Sequence, residues 1–245
     1  VLIPRPALDE LARRLNSLGD GLRVAWVDCD VDPVDLVRAG SAAFGFSGVY
    51  QTPEGRALAG LGTAWLATAS GSDRFRRLAD RLTELPEGTE AMIGFAFSPD
   101  GPTGEEWSGY PTSAAVVPQI SIRRAEGRSR LVAAVAPGSS EGMLLSVLGT
   151  LRRPGEPAPH RGSDHRLRSL PRPDEWRDRV AEAVAAIRAG SASKVVLARA
   201  VDLETGSPID AFDLVGRLRS TYPAARVFGW STGSRSFVGA TPEML

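Results

Sequence analysis

One cysteine, two histidines and a single lysine are all that 245 residues hold of those three types. With Cys29 alone, no disulfide can form within the chain and no cysteine-rich metal site can be built. Cys29 lies in the apolar run RVAWVDCD and reads as a small buried hydrophobe. His160 and His165 sit in the Pro-rich stretch PGEPAPHRGSDHRLRSLPRP and read as loop residues rather than ligands. No stretch of about 18 apolar residues occurs, so no transmembrane helix and no membrane partner are expected. No signal peptide is visible, and a reducing cytoplasm is the expected compartment. The chain opens VLIPRP without methionine, which leaves its true start open.

Blocks of like charge are also missing. The 29 basic residues equal the 29 acidic ones, and stretches such as DRFRRLADRLTE interleave the signs. That pattern is a solvated helix face and argues against a nucleic-acid partner. GLGTAW at 60–65 has glycines but neither the GxGxxG nor the GxxxxGK spacing, so a dinucleotide or P-loop enzyme is disfavoured.

What is present alternates long amphipathic helices with hairpins. ALDELARRLNSL carries Leu8, Leu11 and Leu15 on one stripe. SDRFRRLADRLTEL reads as a helix capped by Ser72, with Phe75, Leu78, Leu82 and Leu85 on one face. Strands are expected at LRVAWVD, at AMIGFAFSP, and on both sides of the AEGR turn, with Pro118 marking an edge or a bulge. SEGMLLSVLGTLRR reads as a helix capped by Ser139 or Ser140. Residues 153–172 read as a Pro-rich linker between a variable part, 1–152, and a second region, 173–245, of one domain. After it, Trp176, Val180, Val184 and Ile187 form a helical stripe closed by Gly190. A strand over SKVVLARAVDLE, a helix with Pro208 near its first turn, and two strands in RVFGWSTGSRSFVGATPEML follow. The class is α+β with antiparallel sheets flanked by helices.

The lone lysine, Lys194, opens the run KVVLAR in a chain whose other 28 basic residues are arginine. On a strand it would share a face with Val196, Ala198 and Ala200, two of them small. Arginine keeps its proton at every physiological pH, whereas a lysine amine can lose its own and act as a base. The opposite face would hold Arg199, which then needs an acidic partner or a route to solvent. Near the chain's end, FVGATPE runs an apolar strand into Gly239, Ala240 and Thr241. Pro242 stiffens the exit and presents Glu243 beside an uncrowded backbone.

Together these elements resemble the chorismate-utilising enzymes, and among them the isochorismate synthases. The resemblance rests on a helix ending IRAG, then KVVLAR, then FVGATPE roughly fifty residues after Lys194. It covers about 173–245; the earlier part matches loosely through IGFAFSP, Trp107 and VVPQI. Anthranilate and aminodeoxychorismate synthases of this family typically carry glutamine where this chain has Lys194.

The resemblance implies chorismate as substrate, with water added at C2 and the C4 hydroxyl expelled. Lys194 matches the base that activates water and Glu243 the acid on the leaving oxygen, while Gly239, Ala240 and Thr241 match the substrate-binding strand. Burial and neighbouring charge are expected to tune such a pair. The resemblance also implies Mg²⁺. The family's metal-ligating glutamates and carboxylate-binding arginine lie after GATPE, so no metal ligand is expected among these residues. The chain thus reads as the N-terminal part of such an enzyme, expected to be inactive alone, with strand edges lacking partners. A monomer is expected. A salicylate synthase, which goes on to eliminate pyruvate, is the alternative enzyme. A non-catalytic protein of the same fold is the alternative from another class.

Overall fold

A computed structural model describes residues 1–101, 103–156 and 165–243. It divides into two compact units, Val1–Ala158 with Asp210–Leu245, and Pro159–Ile209.

The first unit is built on an antiparallel seven-stranded sheet. Its strands are β1 (Arg23–Cys29), β2 (Ser47–Gln51), β3 (Ala57–Leu61), β7 (Ile120–Ala125), β8 (Arg128–Val135), β11 (Arg226–Ser231) and β12 (Ser236–Thr241). Their order is β1-β8-β7-β3-β2-β11-β12, so β12 is an edge. A smaller sheet orders β4 (Trp65–Thr68), β6 (Ser113–Val117) and β5 (Met92–Phe95) as β4-β6-β5. The chain crosses between sheets at Pro118, which lies between β6 and β7. Proline there marks a change of sheet, not the edge or bulge its sequence suggests, because it cannot donate to either ladder.

Four helices accompany the sheets: α1 (Arg5–Asn16), α2 (Pro33–Gly40), α3 (Arg74–Leu82) and α4 (Glu141–Thr150). The α1 stripe is realised, with Leu8, Leu11 and Leu15 buried in the main core beside Leu144 and Leu148 of α4. Ser140 caps α4 by accepting from the Gly142 N–H. Gly40 ends α2 for packing reasons: a Cβ there would lie 2.4 Å from Leu61 Cδ1. In α3 the expected Ser72 cap is replaced by Asp73, which makes no side-chain cap bond, and Phe75 is exposed while Leu78 is buried. The buried neighbour is instead Arg74, whose guanidinium donates to the carbonyls of Gly71, Ala96 and Phe97. Those acceptors offset much of the cost of burying the charge, although the buried Arg74 Nε has no hydrogen-bond partner among the described residues.

A fifth helix of this unit, α6 (Ala211–Thr221), packs on β11 and β12. Its cap is Asp210, which accepts from the Phe212 and Asp213 N–H groups, and Pro208 stands just before that cap, near the first turn as its sequence suggests. Phe212 and Val215 are buried against Gly229 of β11, where a Cβ would meet both at 3.2 Å.

Asp32 ties three elements together. It caps α2 through the Val34 N–H and accepts from Arg124 of β7 at 3.0 Å and Arg219 of α6 at 2.7 Å. Burial pushes its carboxyl up, but the Arg219 hydrogen bond and the two guanidinium charges outweigh that and hold it below the ordinary aspartate value. A lowered folded-state pKa stabilises the protein above the unfolded value of about 3.9, and the contribution is lost as pH falls through the folded value. Asp32→Ala is expected to cost about 2–4 kcal/mol at neutral pH. In denaturant titrations the gap between variant and parent should shrink below about pH 4; a gap constant with pH would refute this role.

The second unit holds β9 (His165–Leu170), α5 (Pro173–Arg188) and β10 (Ala200–Thr205), with β9 and β10 antiparallel. His165 therefore begins a strand where the sequence reads as loop; His160 and the centre of the Pro-rich stretch lie outside the described residues. Gly190 adopts the left-handed φ of +74° that closes α5. The α5 stripe is not buried: Val180, Val184 and Ile187 are 36%, 39% and 40% exposed.

Candidate functional site

The strand expected over SKVVLARAVDLE is shorter than its sequence suggests. Residues 194–199 run without regular structure, and pairing begins at Ala200, opposite Leu170. The next residue on the partner strand is Pro171, which has no N–H to offer Arg199. The ladder stops there, and the face-sharing inferred for Lys194, Val196 and Ala198 does not hold. Lys194 lies exposed in this irregular segment of the second unit. Arg199 finds a hydroxyl rather than an acid: its Nη2 donates to Ser169 Oγ at 2.6 Å.

The other candidate residues stand together on β12 and its exit, in the first unit. Val238 and Ala240 point to the main core and pack against it. Strand alternation therefore sets Phe237, Gly239 and Thr241 on the opposite face. The register pairs Phe228 of β11 with Gly239, and the Phe228 ring covers the glycine, since a Cβ there would lie 2.5 Å from Phe228 Cζ. Gly239 is needed for this close approach, not for a left-handed φ. Gly239→Ala should displace the Phe228 ring or the strand and cost about 1–3 kcal/mol, measured by chemical unfolding. An unchanged midpoint would mean that the ring is not packed there.

At the strand's end the Thr241 hydroxyl accepts a hydrogen bond from the Glu243 N–H at 3.1 Å. This closes a short turn around Pro242 and fixes where Glu243 leaves the sheet. Glu243 itself is exposed.

Beside β12, on its Phe237 face, a cavity of about 850 Å³ opens in the first unit. Tyr50, Met92, Phe95, Trp107, Trp230 and Phe237 are among its lining residues, and among the described residues no charged side chain lines it. Such a wall suits apolar groups and offers nothing to balance a carboxylate. Sequence reasoning singled out Trp107 but not its partners Tyr110 and Phe237, nor Phe228 beyond Phe237; the one available signal was aromatic density in the stretch 95–110 and in the last two strands.

Among the described residues no three or more His, Cys, Asp or Glu side chains converge as a metal site. The described residues thus do not fit a magnesium centre. Cys29 is a half-buried free thiol whose pKa is pushed up by burial, which suits packing rather than nucleophilic use. No helix among the described residues is long and apolar enough to cross a membrane.

Comparison with known proteins agrees with this architecture. The chain is 29% identical over 239 residues to a salicylate biosynthesis isochorismate synthase of Pseudomonas aeruginosa, an alignment covering 88% of this chain and 49% of that protein. Its fold matches that of MenF, the menaquinone-specific isochorismate synthase from Escherichia coli. The TM-score is 0.65 and the identity 20%, over 97% of this chain and 55% of that one. The chain thus spans about half the length of the relatives it matches. A family model described as chorismate binding enzyme matches residues 23–245, nearly the whole sequence and both candidate motifs. The chain belongs to the chorismate-binding enzyme family.

Proposed function

We propose that this chain serves the conversion of chorismate to isochorismate, with Lys194 as the base that activates water for attack at C2 and Glu243 as the acid that protonates the departing C4 oxygen. The observation that carries this reading is the lysine at the head of KVVLAR, followed by FVGATPE, inside a segment matched by the family. An amine that can release its proton is the group a water-adding enzyme needs there, and arginine cannot supply it.

The local geometry supports a division of labour. Val238 and Ala240 hold one face of β12 on the core, and the Thr241 turn sets the direction of Glu243. Lys194 sits in a segment free of ladder hydrogen bonds, able to reorganise around a ligand. Both side chains are exposed, so the desolvation that acid–base catalysis calls for has to arise as the substrate is enclosed. The uncharged cavity beside Phe237 is not assigned to the substrate, whose carboxylates it would leave unpaired. Mg²⁺ belongs to the proposal through the family alone; bound near the substrate it would neutralise carboxylate charge.

The test is to incubate the gene product that carries this chain with chorismate and Mg²⁺ and to separate the products by chromatography. Isochorismate is the expected product. Salicylate with pyruvate would move the assignment to a salicylate synthase. No conversion by a folded protein would favour a binding role.

A further inference from the structure

The loop 104–111 lies across the β11–β12 hairpin, and its contacts form a continuous path to the candidate substrate strand. The Tyr110 hydroxyl donates to the Trp230 carbonyl at 3.1 Å. Trp230 is paired in register with Phe237, so this bond grips the hairpin at one rung of its ladder. Burial pushes the Tyr110 phenol up, which keeps it a hydrogen-bond donor throughout the physiological range. The Trp107 ring packs against Tyr110 at 5.8 Å and against Phe237 at 5.2 Å. Phe237 in turn meets Phe228 at 5.3 Å, and Phe228 is the ring seated on Gly239. Gly109 passes over the hairpin turn, where a Cβ would lie 3.6 Å from Thr232 Oγ1.

We propose that Trp107 and Tyr110 form a clamp that positions the Gly239–Glu243 end of β12, with Trp107 as a positioning residue acting through Phe237 and Phe228. The proposal rests on the reading of β12 as the substrate strand. The physical need is plain. β12 is the edge of its sheet, held by ladder hydrogen bonds on one side only. An edge strand carrying a glycine frays readily unless its exposed face is covered. Aromatic contacts at these separations stabilise beyond area burial alone, and three in series hold one short strand. The strand's other face is already fixed by Val238 and Ala240 on the core. Without the clamp, Phe237 and Phe228 can turn, and the Thr241–Glu243 exit loses its fixed direction. Misplacement of a reacting group by about 1 Å costs on the order of a hundredfold in rate.

The experiment pairs Trp107→Ala with Trp107→Phe in the gene product that carries this chain. Hydrogen exchange is followed by mass spectrometry on the peptides of β12 and of β1 and β8 at the far side of the sheet, and kcat and KM for chorismate are measured alongside. Trp107→Ala should speed exchange across 236–241 by about tenfold while β1 and β8 keep their protection. It should lower kcat by about tenfold or more with KM changed much less. Trp107→Phe should restore most of both. Unchanged exchange at β12, a loss of protection spread evenly over the sheet, or faster exchange with an unchanged kcat would each overturn the proposal. If the parent protein makes no isochorismate, the proposed reaction fails while the exchange measurement still decides whether the clamp exists.

Discussion

Lys194→Arg is expected to lower the rate of chorismate turnover by about 10²–10⁴ while leaving the thermal midpoint unchanged. Both side chains are long and can present a positive charge at their tip, so a binding or structural role would survive the exchange. A base would not, because a guanidinium holds its proton at every pH an enzyme meets. Lys194 is exposed in an irregular segment, so little buried packing is at stake. The same chain already uses arginine at 28 other positions, so neither expression nor solubility should suffer. Steady-state kinetics on the purified variant, with a melting curve as control, measure this. Retained turnover would make the single lysine an accident of composition.

Glu243→Gln should be comparably severe, by about 10²–10⁴ in kcat, with chorismate binding altered only a few-fold. Glutamine keeps the size of the side chain and its hydrogen bonding but has no proton to give the departing C4 oxygen. The turn that places residue 243 uses its backbone N–H and the Thr241 hydroxyl, so the substitution leaves that geometry in place. A split in which kcat falls and KM holds is the signature of a group acting in the transition state. Should KM rise with kcat unchanged, Glu243 would be a binding residue instead.

Local pattern carried most of the architecture. The stripe Leu8, Leu11 and Leu15, the cap at Ser140 and the hairpin around STGSRS are each decided within a few residues, where periodicity and turn chemistry dominate. Three features could not be read that way. The strand at 165–170 hides among prolines and charges and is defined only by its pairing with residues 200–205. Residues 194–199 have strand composition, but a strand exists only where a partner offers hydrogen bonds, and Pro171 ends that offer. Arg74 is buried where the nearby Gly71 carbonyl and the Ala96 and Phe97 carbonyls, more distant in the chain, converge on it, which no periodicity encodes.

The candidate site divides along the same line. Its candidate residues Gly239, Ala240, Thr241 and Glu243 could be picked out because they fall in one short stretch and because the family pattern is specific there. The reason for the glycine was not: a ring from the neighbouring strand rests on it, and only register reveals that. Likewise Trp107 stands 130 positions before Phe237 in the chain, and their contact is a product of the fold. Long-range contacts of this kind decide how stiffly a motif is held, while the motif itself decides which chemistry is possible.

The most direct measurement is the fate of solvent oxygen. The gene product that carries this chain, and its Lys194→Arg variant, are each given chorismate and Mg²⁺ in oxygen-18-labelled water, and the product is analysed by mass spectrometry with fragmentation. The proposed chemistry predicts isochorismate carrying one solvent oxygen, located on the C2 hydroxyl, from the parent protein and none from the variant. Unlabelled isochorismate, or labelled product formed as fast by the arginine variant, would contradict it.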